Sequence, residues 1–228
     1  MEKLKSLSKA DAGTLILMGV SCVLITVTGI VFGQTLLRIL PLYISLIIGL
    51  LQSRVNRFAP LLGGINSLLY AAVYLYYGLY ASALYAVLVS CPLQLVTFAN
   101  WSRRAYGQSV RFKRMSGKGR LHTTAAFVVC WLIMYVIMSK LGSSYMLFDN
   151  TVTLFGILIT ILTMFAYIEY TWLMIPSCLC SVGMYIAMLG ENPEQVTYLI
   201  HAVYALICNC ISFVHARQLW KEQNTETN

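Results

Sequence analysis

The chain has 228 residues, of which 59% are hydrophobic and 11% charged, whereas soluble domains carry about 25% charged and roughly 45–50% apolar residues. A formal charge of +8 would suit a nucleic-acid binder, but the basic residues punctuate long apolar runs, so the bilayer and not nucleic acid is the expected partner. Its eight acidic residues are not clustered within any apolar run and no Gly-x-x-x-x-Gly-Lys phosphate loop occurs, which argues against a metal- or nucleotide-dependent enzyme. No cofactor and no metal is expected.

Eight apolar stretches follow in chain order, each near the ~17–25 residues that cross a bilayer as helix. The first, Ala12–Phe32, follows the basic start Lys3, Lys5 and Lys9; its length and the absence of a small-residue cleavage site make it a retained span, not a signal peptide. Leu36–Leu51 is short. Ala59–Tyr77 carries Asn66, Tyr70, Tyr74 and Tyr77 on one helical face, and Leu79–Trp101 carries Ser90, Gln94, Thr97 and Trp101 in the same way, next to Pro92. After the basic loop Arg103–Arg120 come Thr123–Leu141 and then Thr151–Tyr167, with the stripe Thr153, Gly156, Thr160, Thr163 and Tyr167. Thr171–Leu189 contains Pro176, and Val196–Val214 offers His201, Tyr204, Cys208 and Ser212 with Asn209 beside them. Pro92 and Pro176 each remove a helix hydrogen bond and invite a kink, either as a hinge or as a packing feature.

With eight spans and an inside N-terminus, 14 of the 16 Lys and Arg residues fall inside, leaving Arg38 and Lys140 outside; the positive-inside rule therefore places both termini in the cytoplasm. Seven basic residues sit in the loop between spans four and five, where an RNA-binding patch and a topology anchor facing anionic lipid compete as explanations, and the orientation bias favours the anchor. The seven cysteines all lie within apolar stretches and read as packing residues.

Ionisable groups are nearly absent from the spans, with His201 the one well inside a helix. Ion-coupled pumps use such groups as relays, so facilitated diffusion of a small solute is the expected activity. The polar and aromatic stripes would wall a passage for a flat heterocycle with hydrogen-bonding substituents; alternatively they bond neighbouring helices and form interfacial belts. A membrane enzyme and a receptor or accessory protein without a pathway are the rival classes. Tyr85 to Cys91 and Tyr204 to Cys210 share Tyr, Ala and Cys positions, which pairs spans two to four with spans six to eight as parallel repeats.

The stretch Gly63-Gly-Ile-Asn-Ser-Leu-Leu-Tyr70, then Tyr77-Gly-Leu-Tyr80, Cys91-Pro-Leu-Gln94 and Asn100-Trp101, resembles the PnuC-type vitamin transporter family over about residues 36–220. The resemblance implies an all-α integral membrane fold of two three-helix bundles joined by a linker helix, similar to the SWEET transporters, with an extra N-terminal helix. The implied divisions are 1–35 for the N-terminus and added helix, 36–101 for the first bundle, 102–147 for the basic loop and linker, and 148–228 for the second bundle and C-terminus. It further implies a homotrimer in the plasma membrane and energy-independent uptake of nicotinamide riboside, trapped by a cytoplasmic kinase; relatives of the same architecture are thought to carry thiamine or riboflavin. Asn66, Tyr70, Gln94, Trp101, Trp172, Tyr204 and Asn209 are the expected substrate-lining residues, with His201 either lining the site or serving as a core histidine. The chain departs from the family pattern at Phe98, where a Trp is expected, and after Trp172, where an Asn is missing.

Overall fold

The computed structural model describes residues 2–76, 83–84, 86–141 and 145–225; Tyr77, Tyr80 and Tyr85 of the sequence motifs lie outside them. The described residues form eight principal helices: α1 (Glu2–Val31), α2 (Leu36–Ser53), α3 (Ala59–Tyr76), α4 (Cys91–Arg103), α5 (Gly117–Leu141), α6 (Met146–Met164), α7 (Tyr170–Met188) and α8 (Val196–Thr225). Six are long and apolar enough to cross a membrane, while α3 has the shorter apolar run Ala59–Val73. Large hydrophobic side chains exposed along them, such as Leu132, Ile133 and Val136 on α5, are the expected outer face of a chain whose solvent is lipid.

Helix packing follows a ring: α2 on α3, α3 on α4, α4 on α6, α6 on α7, α7 on α8, and α8 back on α2. Outside the ring, α1 packs on both α2 and α8, and α5 packs on α6. Two buried clusters hold it together. Ile25, Ile39, Leu42, Leu46, Tyr204 and Cys208 fill the junction of α1, α2 and α8, and a second cluster around Val55, Trp101, Phe112, Leu162 and Tyr170 lies at the end carrying the basic loop.

The ends of α2 and α6 close in the same way. At the end of α2 the Val55 N–H donates to Gln52 O and the Asn56 N–H to Leu51 O, both at 2.9 Å; at the end of α6 the Ala166 N–H donates to Thr163 O and the Tyr167 N–H to Leu162 O, also both at 2.9 Å. Both ends are Schellman closures whose left-handed position is taken by a residue with a Cβ, Val55 at φ 51° and Ala166 at φ 57°, where glycine is the usual choice. α3 and α7 begin a few residues later, so the same sharp reversal leads into each of these helices.

The prolines differ in effect. Pro41 and Pro176 lie inside α2 and α7. Pro92, which has no N–H to donate, stands at the start of α4, directly after a π-helical turn over Ala86–Ser90.

The basic loop is folded, which adds a small β element to the all-α expectation. Ala105–Tyr106 pairs antiparallel with Ser109–Val110, with Gly107 at φ 58° in the turn. Gln223, near the end of α8 and buried, clamps the hairpin by accepting from the Phe112 N–H and donating to Val110 O, each at 2.9 Å. The Arg57 N–H donates to Gln108 O, and Lys113 exchanges backbone hydrogen bonds with Ala166 and Ile168, so the basic loop joins the α2–α3 and α6–α7 connections at this end. Gln223→Ala would strand two backbone groups at about 1–3 kcal/mol each. We expect a clear drop in thermal unfolding temperature in detergent; an unchanged midpoint would refute the clamp.

Candidate functional site

A cavity of about 210 Å³ lies inside the ring toward the basic-loop end, and all six ring helices line it. Gln52 comes from α2, Ala59 and Pro60 from α3, Gln94, Thr97 and Trp101 from α4, Gly156, Ile159, Thr160 and Thr163 from α6, Tyr170 and Met174 from α7, and Ser212 from α8. Neither α1 nor α5 contributes. Val55 and Asn56 of the α2–α3 turn complete the wall.

Each polar group is positioned by its own helix. Thr97 and Thr163 donate their hydroxyls to the carbonyls four residues back, at 2.7 Å each, and Thr160 does so at 2.8 Å, which leaves oxygen lone pairs available. Asn56 accepts from the Phe58 N–H at 2.9 Å, which fixes its side chain at the entrance to α3. Gln94 lies against Gly63, where an added Cβ would stand 3.2 Å from the amide carbon and oxygen; the small residue on α3 makes room for the amide. Trp101 is buried, donates its indole N–H to Thr163 O at 2.7 Å, and packs its ring against Tyr170 with centroids 6.1 Å apart.

Ser212 is the anomaly. Its side chain lines the cavity, is buried, and its Oγ has no protein hydrogen-bond partner. One turn earlier in α8, Asn209 donates to Cys178 Sγ at 3.1 Å while its Oδ1 is likewise unpaired. Buried polar atoms without partners are uncommon, and each costs stability. Ser212→Ala is therefore expected to leave thermal stability unchanged or raised while raising the transport KM about two- to tenfold, the worth of one hydrogen bond. Loss of stability with normal uptake would assign Ser212 to packing alone.

The cavity wall contains no Asp, Glu, Lys, Arg or His among the described residues. Its recognition chemistry is uncharged: amides and hydroxyls around a Trp–Tyr pair. A larger groove of about 790 Å³, with Phe127 and Phe155 on one side and Phe213 and Trp220 on another, lies between α5 and helices α6 to α8, outside the ring. A solute crossing inside the ring would not meet it.

A family profile described as "Nicotinamide mononucleotide transporter" matches residues 35–220, which takes in all six ring helices except the last turn of α8 and leaves α1 outside. The chain belongs to the nicotinamide mononucleotide transporter family. Among solved structures, one described as the crystal structure of the vitamin B3 transporter PnuC superposes with a TM-score of 0.74 at 21% identity, covering 93% of this chain and 92% of that one. No curated protein matches the chain. Membership makes this protein a multi-pass membrane transporter and not an enzyme.

Of the residues that sequence reasoning nominated in this transporter, Gln94 and Trp101 line the ring cavity. Asn66 is buried and braces α3 to α2, donating to Ser45 Oγ at 2.9 Å and Pro41 O at 3.2 Å, with its Oδ1 unpaired. Tyr204 is buried at 1% exposure and donates its hydroxyl to Leu46 O at 2.7 Å, lodged over Gly49. Tyr70 and His201 are half-buried on α3 and α8 and stand outside the cavity wall. Trp172 is 51% exposed and faces the outer groove. Gln52, Asn56 and Tyr170 were missed; they sit at helix ends, where hydropathy marks a connector and carries no facial pattern.

Proposed function

We propose that this transporter carries nicotinamide riboside across the plasma membrane by facilitated diffusion, with phosphorylation by a cytoplasmic kinase trapping the solute. The uncharged wall of the ring cavity carries the proposal. A mononucleotide phosphate would need Arg, Lys or a comparable set of donors to replace its hydration, and the wall offers none of those cations. Nicotinamide riboside lacks that phosphate and brings what the wall can satisfy: ribose hydroxyls and a carboxamide for Gln52, Gln94 and Ser212, and a cationic flat ring for the faces of Trp101 and Tyr170. A cavity of about 210 Å³ is below the ~300–1,000 Å³ usual for drug-sized ligands, in keeping with one small metabolite.

The absence of carboxylates from the cavity wall supports a carrier without ion coupling. The closed ring and the paired helix closures support two three-helix bundles, 36–101 and 148–228, joined by the 102–147 segment with α5 as linker. The basic loop supports an orientation with both termini in the cytoplasm, and the resemblance of the family motifs supports a homotrimer with one pathway per protomer.

The test is uptake of labelled nicotinamide riboside into proteoliposomes holding the purified protein with kinase and ATP inside, with labelled thiamine and nicotinamide mononucleotide in parallel. Accumulation of the riboside that requires the kinase and is lost in Gln94→Ala is the expected result. Uptake of the mononucleotide in preference to the riboside would overturn the proposal, and uptake of thiamine alone would change the vitamin.

A further inference from the structure

The groove outside the ring shares no lining residue with the ring cavity, and its chemistry is specific. Its deep wall is apolar, formed by Phe127 of α5, Phe155 and Leu158 of α6, and Phe213 of α8, and its rim at the basic-loop end carries Arg114, Arg120, Arg217 and Lys221 against a single acidic residue, Glu169. α5 leaves it open to lipid: the membrane window of this helix has none of its residues buried. An apolar trough capped by excess positive charge complements an acyl chain below an anionic head group.

Glu169 narrows the head group further. Its Oε1 accepts from the Met115 N–H at 3.1 Å and from Arg120 at 2.9 and 3.1 Å. Its Oε2 is buried and has no partner. A phosphodiester has only acceptors and cannot satisfy that oxygen, but a head group bearing hydroxyls can donate to it. Arg217, with its guanidinium carbon 4.4 Å from the centre of the Phe213 ring, is anchored on the apolar wall with its N–H groups available for phosphate.

We propose that this groove is a binding site for an anionic phospholipid with a hydroxyl-bearing head group, of the phosphatidylglycerol class. The lipid's phosphate is held by Arg114, Arg217 and Lys221, a glycerol hydroxyl donates to Glu169, and an acyl chain fills the trough between α5 and α6 to α8. It would thereby supply the packing that α5 lacks on that side. The site is independent of which solute the ring carries.

Native mass spectrometry of the whole protein, taken from nanodiscs of equal phosphatidylcholine and phosphatidylglycerol, tests the proposal. Selective retention of phosphatidylglycerol is expected. The double variant Arg217→Gln/Lys221→Gln should weaken it roughly thirtyfold, the ratio given by two basic residues at about 1 kcal/mol each, whereas Arg103→Gln/Arg111→Gln, which removes equal charge away from the groove, should leave it intact. Thr124→Trp keeps every charge and obstructs the trough, and it too should lose the lipid. Equal retention of phosphatidylcholine, equal loss in the two double variants, or wild-type retention in Thr124→Trp would each overturn the assignment.

Discussion

Trp101→Ala is expected to abolish uptake and to lower stability by about 3–5 kcal/mol, the range for emptying a buried aromatic position. Three losses coincide there. The indole is 3% exposed, so its removal opens a hole in the cluster at the basic-loop end; its N–H no longer meets Thr163 O; and the cavity loses the ring that packs on Tyr170. Trp101→Phe separates these contributions, since it keeps an aromatic face and much of the volume but removes the donor. We expect it to cost about 0.5–1.5 kcal/mol of stability and to retain measurable uptake. Proteoliposome uptake alongside thermal unfolding decides the matter: wild-type behaviour in Trp101→Ala would refute both the cavity assignment and the α4–α6 contact.

Tyr204→Ala should be as damaging to the fold, again by about 3–5 kcal/mol, because the side chain is among the largest that are fully buried. Its hydroxyl is engaged with Leu46 O, so Tyr204→Phe should cost only about 0.5–1.5 kcal/mol and leave the transport KM unchanged. A KM that rises severalfold in Tyr204→Phe would restore the substrate contact that the sequence alone suggests. The facing position offers an independent check: a Cβ at Gly49 would stand 2.7 Å from Cε1 of Tyr204, so Gly49→Ala forces the ring or the helix aside. Overpacking of this kind costs about 1–3 kcal/mol, read as a lowered unfolding temperature.

The helices were legible because lipid selects composition: each of the eight apolar stretches falls on a helix, six of them, among the described residues, long and apolar enough to cross a membrane. Their ends were not. α1 starts at Glu2 and α8 runs to Thr225, beyond the apolar limits at Ala12 and Val214, because hydropathy follows the lipid boundary while helical hydrogen bonds continue past it. In the site, the stripes on the fourth, sixth and eighth spans led to Gln94, Thr97, Trp101, Thr160, Thr163 and Ser212, all on the cavity wall. A stripe identifies a face but not the neighbour that the face meets, which is why Asn66 turned out to brace α2 and Tyr204 to fill a helix junction. Trp172 illustrates the angular limit: two positions from Tyr170, it is roughly 200° around the helix at 3.6 residues per turn, and where Tyr170 faces the cavity Trp172 faces out. The folded basic loop gave no apolar run, since its order comes from backbone pairing, the distant Gln223 and two isolated apolar anchors, Val110 and Phe112, buried in the cluster at this end.

Two contacts of the ring, α2 with α8 and α4 with α6, are fastened unequally. Between α2 and α8 there are bonds at three levels: Arg38 with Tyr198, and with Glu194 just before α8, at one end, Tyr204 with Leu46 midway, and His215 with Ser53 O at the other. α1 lies across this seam, with Thr26 bonded to Tyr43 and Thr28 to Thr197. The α4–α6 seam, among the described residues, is bonded at the basic-loop end alone, through Trp101 and Asn100 to the carbonyls of Thr163 and Met164. A purse has this construction, with a sewn spine and a single clasp, and its mouth opens on one side however hard the spine is pulled.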